Sequence, residues 1–143
     1  MQIVDANVLL YAVNEDSPHH LSAVQWLDRA LAGQQVVGFA WIVVLAFLRL
    51  ATNQRLFPAP LSLDDAVDVV RGWMARPAAV VVTPTGRHLS LLQELLEPTG
   101  TAANLVNDAH LAALALEHGA QVISFDHDFA RFPGLRWALP SGP

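Results

Sequence analysis

With 143 residues, of which 53% are hydrophobic, the chain is long enough to form one domain with a buried core, predicted over residues 1–143. It has no cysteine, which excludes disulfides, thiol catalysis and cysteine-ligated zinc. Its 8 cationic residues are all arginine, which excludes a P-loop and Schiff-base chemistry, and the net charge of −5 argues against a clamp that binds polyanions through overall positive charge.

Hydrophobic periodicity and turn residues divide the chain into alternating strands and helices. In chain order they are a strand over 3–13, a helix over 19–31, a brief strand over 36–39, a helix over 41–53, a helix from 62 to about 76, a strand over 79–83, a helix over 85–96, a helix over 104–118, a strand over 121–125 and a short strand over 135–138. This alternation predicts an α/β fold of three layers, α/β/α, around a central parallel sheet of four to five strands.

The beginning of the chain and its apolar stretches predict a cytoplasmic protein with no membrane partner. Residues 1–5 lack the basic start and the cleavage pattern of a signal peptide. The longest apolar stretch, residues 39–48, is too short to span a bilayer and indicates a buried helix.

Aspartates stand where three apolar runs end, and they are candidate metal ligands. Asp5 follows the first apolar residues, Asp126 and Asp128 follow the strand over 121–125, and Asp108 lies in the first turn of a predicted helix. Because an unpaired buried charge is costly, convergence of these carboxylates on a shared Mg²⁺ or Mn²⁺ ion is the simplest explanation. The alternative is that Asp5 and Asp126 are turn residues at strand ends.

The predicted fold gives these aspartates a common location. Ligands bind parallel sheets outside the carboxyl ends of the strands, where Asp5 and Asp126 lie, and the first turn of a helix can reach the same crevice. The helix dipole there favours the ionised form of Asp108, which a metal requires. Asn104 precedes Asp108 by one helical turn and is predicted to support it from the same face.

Five stretches of the sequence occur in the order typical of PIN-domain nucleases, and the chain resembles in particular the VapC-type toxins of bacterial toxin–antitoxin pairs. They are DANVLLY at 5–11, FLRLAT at 47–52, Asn104 with DAH at 108–110, SFDHDF at 124–129 and RFPGLRW at 131–137. The resemblance implies a PIN-like domain with Mg²⁺- or Mn²⁺-dependent endoribonuclease activity on RNA, held inactive by a small cognate antitoxin. Family habit, together with the apolar surplus of the chain, suggests a homodimer.

The resemblance also assigns roles to individual positions. It implies that Asp5, Asp108 and Asp126 are the acidic site residues and that Asp128 is a less regular fourth. It implies that the polar helpers are Asn7 and Ser124. Arg49 is predicted to meet RNA phosphate or a carboxylate of the site, with a structural salt bridge as the alternative.

One position departs from the family pattern. The resemblance implies a glutamate on the second predicted helix, just before Phe47, and here Ala46 stands at that position. Residues 29–63 contain no aspartate or glutamate that could replace it. This departure counts against a complete four-acid site and against a second metal ion.

Two other functions fit parts of the pattern. In an aspartyl-phosphate phosphatase, Asp5 would be the nucleophile after the first strand, but such enzymes add an aspartate two residues later, where Asn7 stands, and a lysine, which this chain lacks. A PIN-like module that binds RNA or protein with weak or lost catalysis would have Ala46 as its marker. RNA cleavage that depends on added metal separates the nuclease from both.

Overall fold

Strands and helices alternate along the computed structural model of the protein, which describes residues 1–100 and 103–141. The strands are β1 (Gln2–Val4), β2 (Val37–Ala40), β3 (Ala79–Val82), β4 (Gln121–Ile123) and β5 (Trp137–Ala138). The α-helices are α1 (Ala6–Val13), α2 (His20–Ala32), α3 (Trp41–Ala51), α4 (Leu63–Met74), α5 (His88–Leu96) and α6 (Val106–Glu117). Short 3₁₀ helices cover Glu97–Thr99, Ala103–Leu105 and His127–Arg131.

The strands β1 to β5 form one parallel sheet in the order β3-β2-β1-β4-β5. From β1 the chain moves outwards to β2 and β3, and it then crosses back to β4 and β5 on the other side of β1. Because crossovers between parallel strands are right-handed, α1 to α4 cover one face of the sheet and α5 and α6 cover the other. The predicted three-layer α/β/α fold with a parallel sheet is therefore confirmed, with the fifth strand present.

The direction of the crossovers reverses beside the central strand. β1 pairs with β2 on one side, through Gln2 and Val37, and with β4 on the other, through Val4 and Ile123. The carboxyl ends of β1 and β4 thus lie together at the switch point of the sheet, which is where α/β folds bind their ligands.

One predicted element is wrong. The run 3–13 is not a single strand, because β1 ends at Val4 and residues 6–13 form α1. Asp5 caps this helix, since its carboxylate accepts a hydrogen bond from the backbone N–H of Ala6. A continuous apolar run does not distinguish a buried strand from a buried helix by its periodicity, and here the capping aspartate decides for the helix.

A second boundary also differs from the prediction. The helix predicted over 104–118 begins as a 3₁₀ turn at Ala103–Leu105 and becomes α-helical only at Val106. Its other end lies where predicted, because Gly119 follows the helix with a φ of 61°, a left-handed conformation that glycine adopts without strain.

The core lies on both faces of the sheet. The inner strands are apolar without alternation, with Ile3, Val4, Val37 and Val122 fully buried, as expected when helices cover both faces. None of the helices in the described parts of the chain combines the length and the apolar character needed to cross a bilayer.

Candidate active site

The pairing of β1 with β4 brings two of the predicted acids to the same edge of the sheet. Asp5 follows β1 directly, and its backbone N–H donates to the carbonyl of Ile123 at 2.9 Å, which extends the pairing one residue beyond Val4. Asp126 follows β4 after Ser124 and Phe125. Both carboxylates therefore lie at the switch point between β1 and β4.

A network of hydrogen bonds fixes the orientation of the Asp5 carboxylate. Its Oδ1 accepts from the N–H of Ala6 at 2.8 Å, and its Oδ2 accepts from the hydroxyl of Ser124 at 2.7 Å and from the Asn7 amide at 3.4 Å. The Ser124 side chain is fully buried, and its Oγ also accepts from the Asn7 amide at 3.0 Å and from the N–H of Asp126 at 2.9 Å. Asn7 and Ser124 thus hold Asp5 and the start of the Asp126 turn in one arrangement.

The second acidic segment is the 3₁₀ helix over His127–Arg131. Asp126 caps it, because its Oδ1 accepts from the N–H of Asp128 at 2.8 Å. Asp128 is exposed and pairs with Arg131 at 3.2 Å. Asp5 and Asp126 both act as local caps, which is the role that the turn-residue alternative gave them, but a cap alone does not explain four carboxylates at one edge of the sheet.

Asp108 completes the group from the first turn of α6, where it is half-buried. Burial raises the pKa of its carboxyl to about 6, with further contributions from the negative charges of Asp5, Asp126 and Asp128. The positive charge of Arg131 acts in the opposite direction. The four carboxylates, called the acidic cluster from here on, are therefore close enough to repel one another.

The pKa of Asp5 is also raised, chiefly because its carboxylate is buried. The hydrogen bonds from Ser124 and Ala6 lower it in part, and the charge of Asp126 raises it again. Neighbouring carboxylates thus raise the pKa of both Asp5 and Asp108, and the hydrogen bonds and the positive charge supplied by the described residues offset this only in part.

A cavity of about 140 Å³ opens beside Asp5 and Asp108. Helix α3 contributes Ile42, Val43 and Ala46 to its wall. Since a water molecule occupies about 30 Å³ of liquid, the cavity has room for several waters. Ala46 therefore faces the acidic cluster, and the side of the cavity formed by α3 carries no charge.

The donors of the acidic cluster suit a hard divalent cation. All are carboxylate oxygens, which Mg²⁺ and Mn²⁺ prefer, and a cation would relieve the repulsion that raises the pKa of Asp5 and Asp108. Among the described residues, no three side chains able to bind a metal lie close enough to enclose an ion directly. An ion held here would keep water between itself and part of the cluster, as Mg²⁺ commonly does.

Two predicted supporting residues lie elsewhere. Asn104 is exposed in the 3₁₀ turn before α6 and does not line the cavity. Asn107 lines the cavity instead, because the late start of the α-helix changes which residue shares the face of Asp108. Arg49 is exposed in the last turn of α3, nearly one turn beyond Ala46, and forms no ion pair with a residue that the structure describes.

Arg131 is an electrostatic partner of the cluster that no motif in the sequence marks. Its pairing with Asp128 follows the three-residue spacing within one turn, which is the only signal that the sequence offers. Its positive charge lowers the pKa of Asp108, so Arg131 acts electrostatically on the cluster.

Comparison with known proteins identifies the class to which this fold and site belong. Residues 3–135 match the family model of the PIN domain. The chain therefore belongs to the PIN domain family.

The curated relatives of the chain confirm the predicted resemblance to VapC proteins. Over 140 residues, the chain is 58% identical to Ribonuclease VapC37 of Mycobacterium tuberculosis, an alignment that covers 98% of this chain and 97% of that protein. Over 140 residues, it is 40% identical to Ribonuclease VapC33 of the same species, with 98% of both chains covered.

Solved structures share the fold at lower sequence identity. VapBC2 from Rickettsia felis, bound to a DNA fragment from its promoter, matches with a TM-score of 0.71 and 17% identity over 96% of this chain and 97% of that one. VapC20 of Mycobacterium tuberculosis, a sarcin–ricin loop cleaving toxin, matches with a TM-score of 0.65 and 19% identity over 95% of this chain and 99% of that one. At these identities the likeness concerns the fold alone.

Proposed function

We propose that this chain, as a single PIN-like domain over residues 1–143, is a metal-dependent endoribonuclease that acts as the toxin of a toxin–antitoxin pair. The observation that carries the proposal is the acidic cluster at the switch point, where the pKa of Asp5 and of Asp108 is raised. Family membership and the 58% identity to a VapC ribonuclease support RNA as the substrate.

Each residue of the site has a distinct part in this proposal. Asp5, Asp108 and Asp126 would hold the divalent ion, Mg²⁺ or Mn²⁺, through direct or water-mediated contacts, with Asp128 as a less regular fourth residue. When bound, the ion supplies the Lewis acidity and the charge stabilisation that hydrolysis of a phosphodiester requires. Asn7 and Ser124 keep the Asp5 carboxylate in its ligating orientation, which is the usual work of hydrogen-bond partners behind a metal ligand.

Two exposed arginines would contact the substrate from solvent, one beside the cluster and one farther from it. Arg131 lies beside Asp128, and its guanidinium can exchange that exposed carboxylate for a phosphate oxygen of the RNA. Arg49, exposed beyond Ala46, is placed to contact the RNA chain farther from the cleaved bond.

The uncharged wall of α3 favours one ion over two. Ala46 faces the cavity where the family pattern has a glutamate, and residues 29–63 supply no other carboxylate. A second divalent ion on that side would lack an anionic ligand, and its repulsion with the first would remain unscreened.

We also propose a cognate antitoxin and a homodimer as the protein partners, with the cytoplasm as the place of action. The solved VapBC structures support an antitoxin through their shared fold. The exposed side chains of Trp41, at 56%, and Leu45, at 58%, form an apolar stripe on α3, and this supports a contact with another protein surface. Analytical ultracentrifugation of the chain alone measures the dimer, and co-purification with the product of an adjacent short reading frame tests the antitoxin.

Cleavage of RNA by the purified protein tests the function. Wild type is expected to cleave single-stranded RNA with Mn²⁺ or Mg²⁺, to lose cleavage in EDTA, and to lose it with metal in the Asp108→Asn variant. Hydrolysis of small phosphomonoesters without RNA cleavage would favour the phosphatase, and RNA binding without cleavage would favour the binding module. Either result would contradict the proposed nuclease.

A further inference from the structure

Three rings that are not fully buried contact one another on segments that adjoin the acidic cluster in the chain, since Phe125 directly precedes Asp126. The ring centroids of His19 and Phe125 are 4.6 Å apart, and those of Tyr11 are 5.2 Å from both. His19 is exposed, and Tyr11 and Phe125 are partly buried. Three rings in mutual contact, none of them fully buried, differ from the fully buried core rings Phe47 and Phe129.

The same residues that hold Asp5 also position these rings. Phe125 stands between Ser124 and Asp126, and its backbone N–H donates to the side-chain oxygen of Asn7 at 3.1 Å. Tyr11 lies one turn after Asn7 on α1, so it shares the face of that helix. The ring cluster and the acidic cluster are therefore parts of one rigid arrangement.

The loop between α1 and α2 fixes the third ring. His20 donates from Nδ1 to the carbonyl oxygen of Tyr11 at 2.8 Å, and the backbone N–H of His19 donates to the Ser17 hydroxyl at 3.1 Å. These bonds fix the backbone of the loop, and the exposed His19 side chain contacts the rings of Tyr11 and Phe125.

We propose that Tyr11, His19 and Phe125, called the aromatic platform from here on, bind one unpaired RNA base next to the phosphate that is cleaved. The inference rests on the proposed function, since it places the substrate at the acidic cluster. Phe125 is covalently adjacent to Asp126, so a base stacked on the platform belongs to a nucleotide at or beside the reacting phosphate. Stacking on aromatic side chains accepts any base, because every base has a π face.

The charge of the chain favours such a platform. A protein with a net charge of −5 offers no overall electrostatic attraction to the RNA backbone. Nucleic-acid binding through phosphates alone requires many cations, whereas each stacked base contributes about 1–3 kcal/mol without any charge. The platform supplies affinity and position where electrostatic attraction cannot.

The platform also predicts the form of the RNA. A base must leave its neighbours to stack on protein rings, so a single strand or a loop can bind, whereas a continuous duplex holds its bases in the helix. Cleavage is therefore expected in unpaired segments.

The test is a double-mutant cycle between a ring and a base. Wild type first maps a cleaved bond in a single-stranded RNA of mixed sequence with Mn²⁺, and the nucleotides flanking that bond are then replaced one at a time by abasic residues. Values of kcat/KM are measured for wild type, His19→Ala, His19→Phe and Leu89→Ala. His19→Ala truncates an exposed side chain, and Leu89→Ala truncates an exposed side chain of α5, on the other face of the sheet, as the matched control.

The expected result is a loss of about 5- to 150-fold in kcat/KM for His19→Ala, the range that one stacked base gives, with most of it in KM. His19→Phe should retain wild-type kcat/KM, and so should Leu89→Ala. For wild type, one abasic residue next to the cleaved bond should lower kcat/KM by a similar factor. The same abasic residue should lower kcat/KM of His19→Ala little further, because both changes remove the same contact.

Other results overturn the inference. His19→Ala could have the same kcat/KM as wild type on the intact RNA and on every RNA with an abasic residue. In that case the platform binds no base, and the nuclease function stands. Equal cleavage combined with weaker inhibition by the antitoxin assigns the rings to the protein partner instead. If wild type cleaves no RNA at all, the proposed function itself fails, and the platform fails with it.

Discussion

Replacement of Asp108 by asparagine should stabilise the metal-free protein at neutral pH while it removes the metal site. The folded state raises the pKa of this carboxyl from 3.8 to about 6, through burial and through the charges of the other three aspartates. Such a group is protonated more readily in the folded chain than in the unfolded chain. The ionisation of Asp108 therefore lowers the free energy of unfolding increasingly as the pH rises from about 4 to about 6, and the full loss is present at pH 7.

The size of the effect follows from this shift. A difference of ~2 pH units corresponds to at most ~3 kcal/mol, at about 1.4 kcal/mol per unit. Because Asp108 is only half-buried, solvent screens part of this energy, and about 1–2 kcal/mol is the realistic expectation. For a domain of this length, that corresponds to a melting temperature about 3–8 °C higher in Asp108→Asn at pH 7.

Thermal unfolding monitored by circular dichroism at several pH values measures the effect. The difference between Asp108→Asn and wild type should be near zero below pH 4 and should reach its full value by pH 7. Added Mn²⁺ should raise the melting temperature of wild type and leave the variant nearly unchanged. A variant that is less stable at pH 7, or a difference that does not change with pH, would refute the electrostatic reasoning.

Three further predictions concern other parts of the structure. Ala46→Glu should tighten Mn²⁺ binding in titration calorimetry, because it adds a carboxylate to the cavity beside Asp5 and Asp108; an unchanged affinity would show that the side of α3 is not part of the metal site. Ser124→Ala should raise the pKa of Asp5 further, because the hydroxyl of Ser124 lowers it in the wild type. The acid limb of the pH–rate profile should therefore move to higher pH, and the metal affinity should fall about 10- to 100-fold. An unshifted profile would exclude Asp5 as the titrating ligand. Phe47→Ala should cost about 3–5 kcal/mol in urea unfolding, because this ring is fully buried; a cost below about 1 kcal/mol would mean that the core refills the space.

Much of the fold could be predicted because its signals are local and repeated. The alternation of strand and helix patterns predicts the parallel sheet, and the sheet in turn predicts that residues after β1 and β4 meet. Residues 6–13 could not be assigned from their periodicity, because a short apolar run that is buried on all sides looks the same in a strand and in a helix. The capping preference of Asp5 was the signal that could have corrected this.

Residues of the candidate site could be predicted from the sequence only where the residue type alone indicates the chemistry. Asp5, Asp108 and Asp126 stand out because carboxylates are rare beside apolar runs. The α-helical spacing between Asn104 and Asp108 does not hold in the structure, because a 3₁₀ turn with a different period precedes α6, and a supporting role of Asn104 stays a prediction. The contact of His19 with Phe125 joins segments that lie far apart in the sequence, so only the packed structure shows it.

The measurement that tests the central claim most directly compares metal occupancy with RNA cleavage in the same preparation. Mn²⁺ binding is followed by calorimetry, and single-turnover cleavage of a single-stranded RNA is followed over the same range of Mn²⁺ concentration. If the acidic cluster holds the ion that drives cleavage, one ion binds per chain, both curves share one midpoint, and Asp108→Asn removes both. Cleavage that persists in EDTA, or that survives in Asp108→Asn when the binding is gone, would contradict the account.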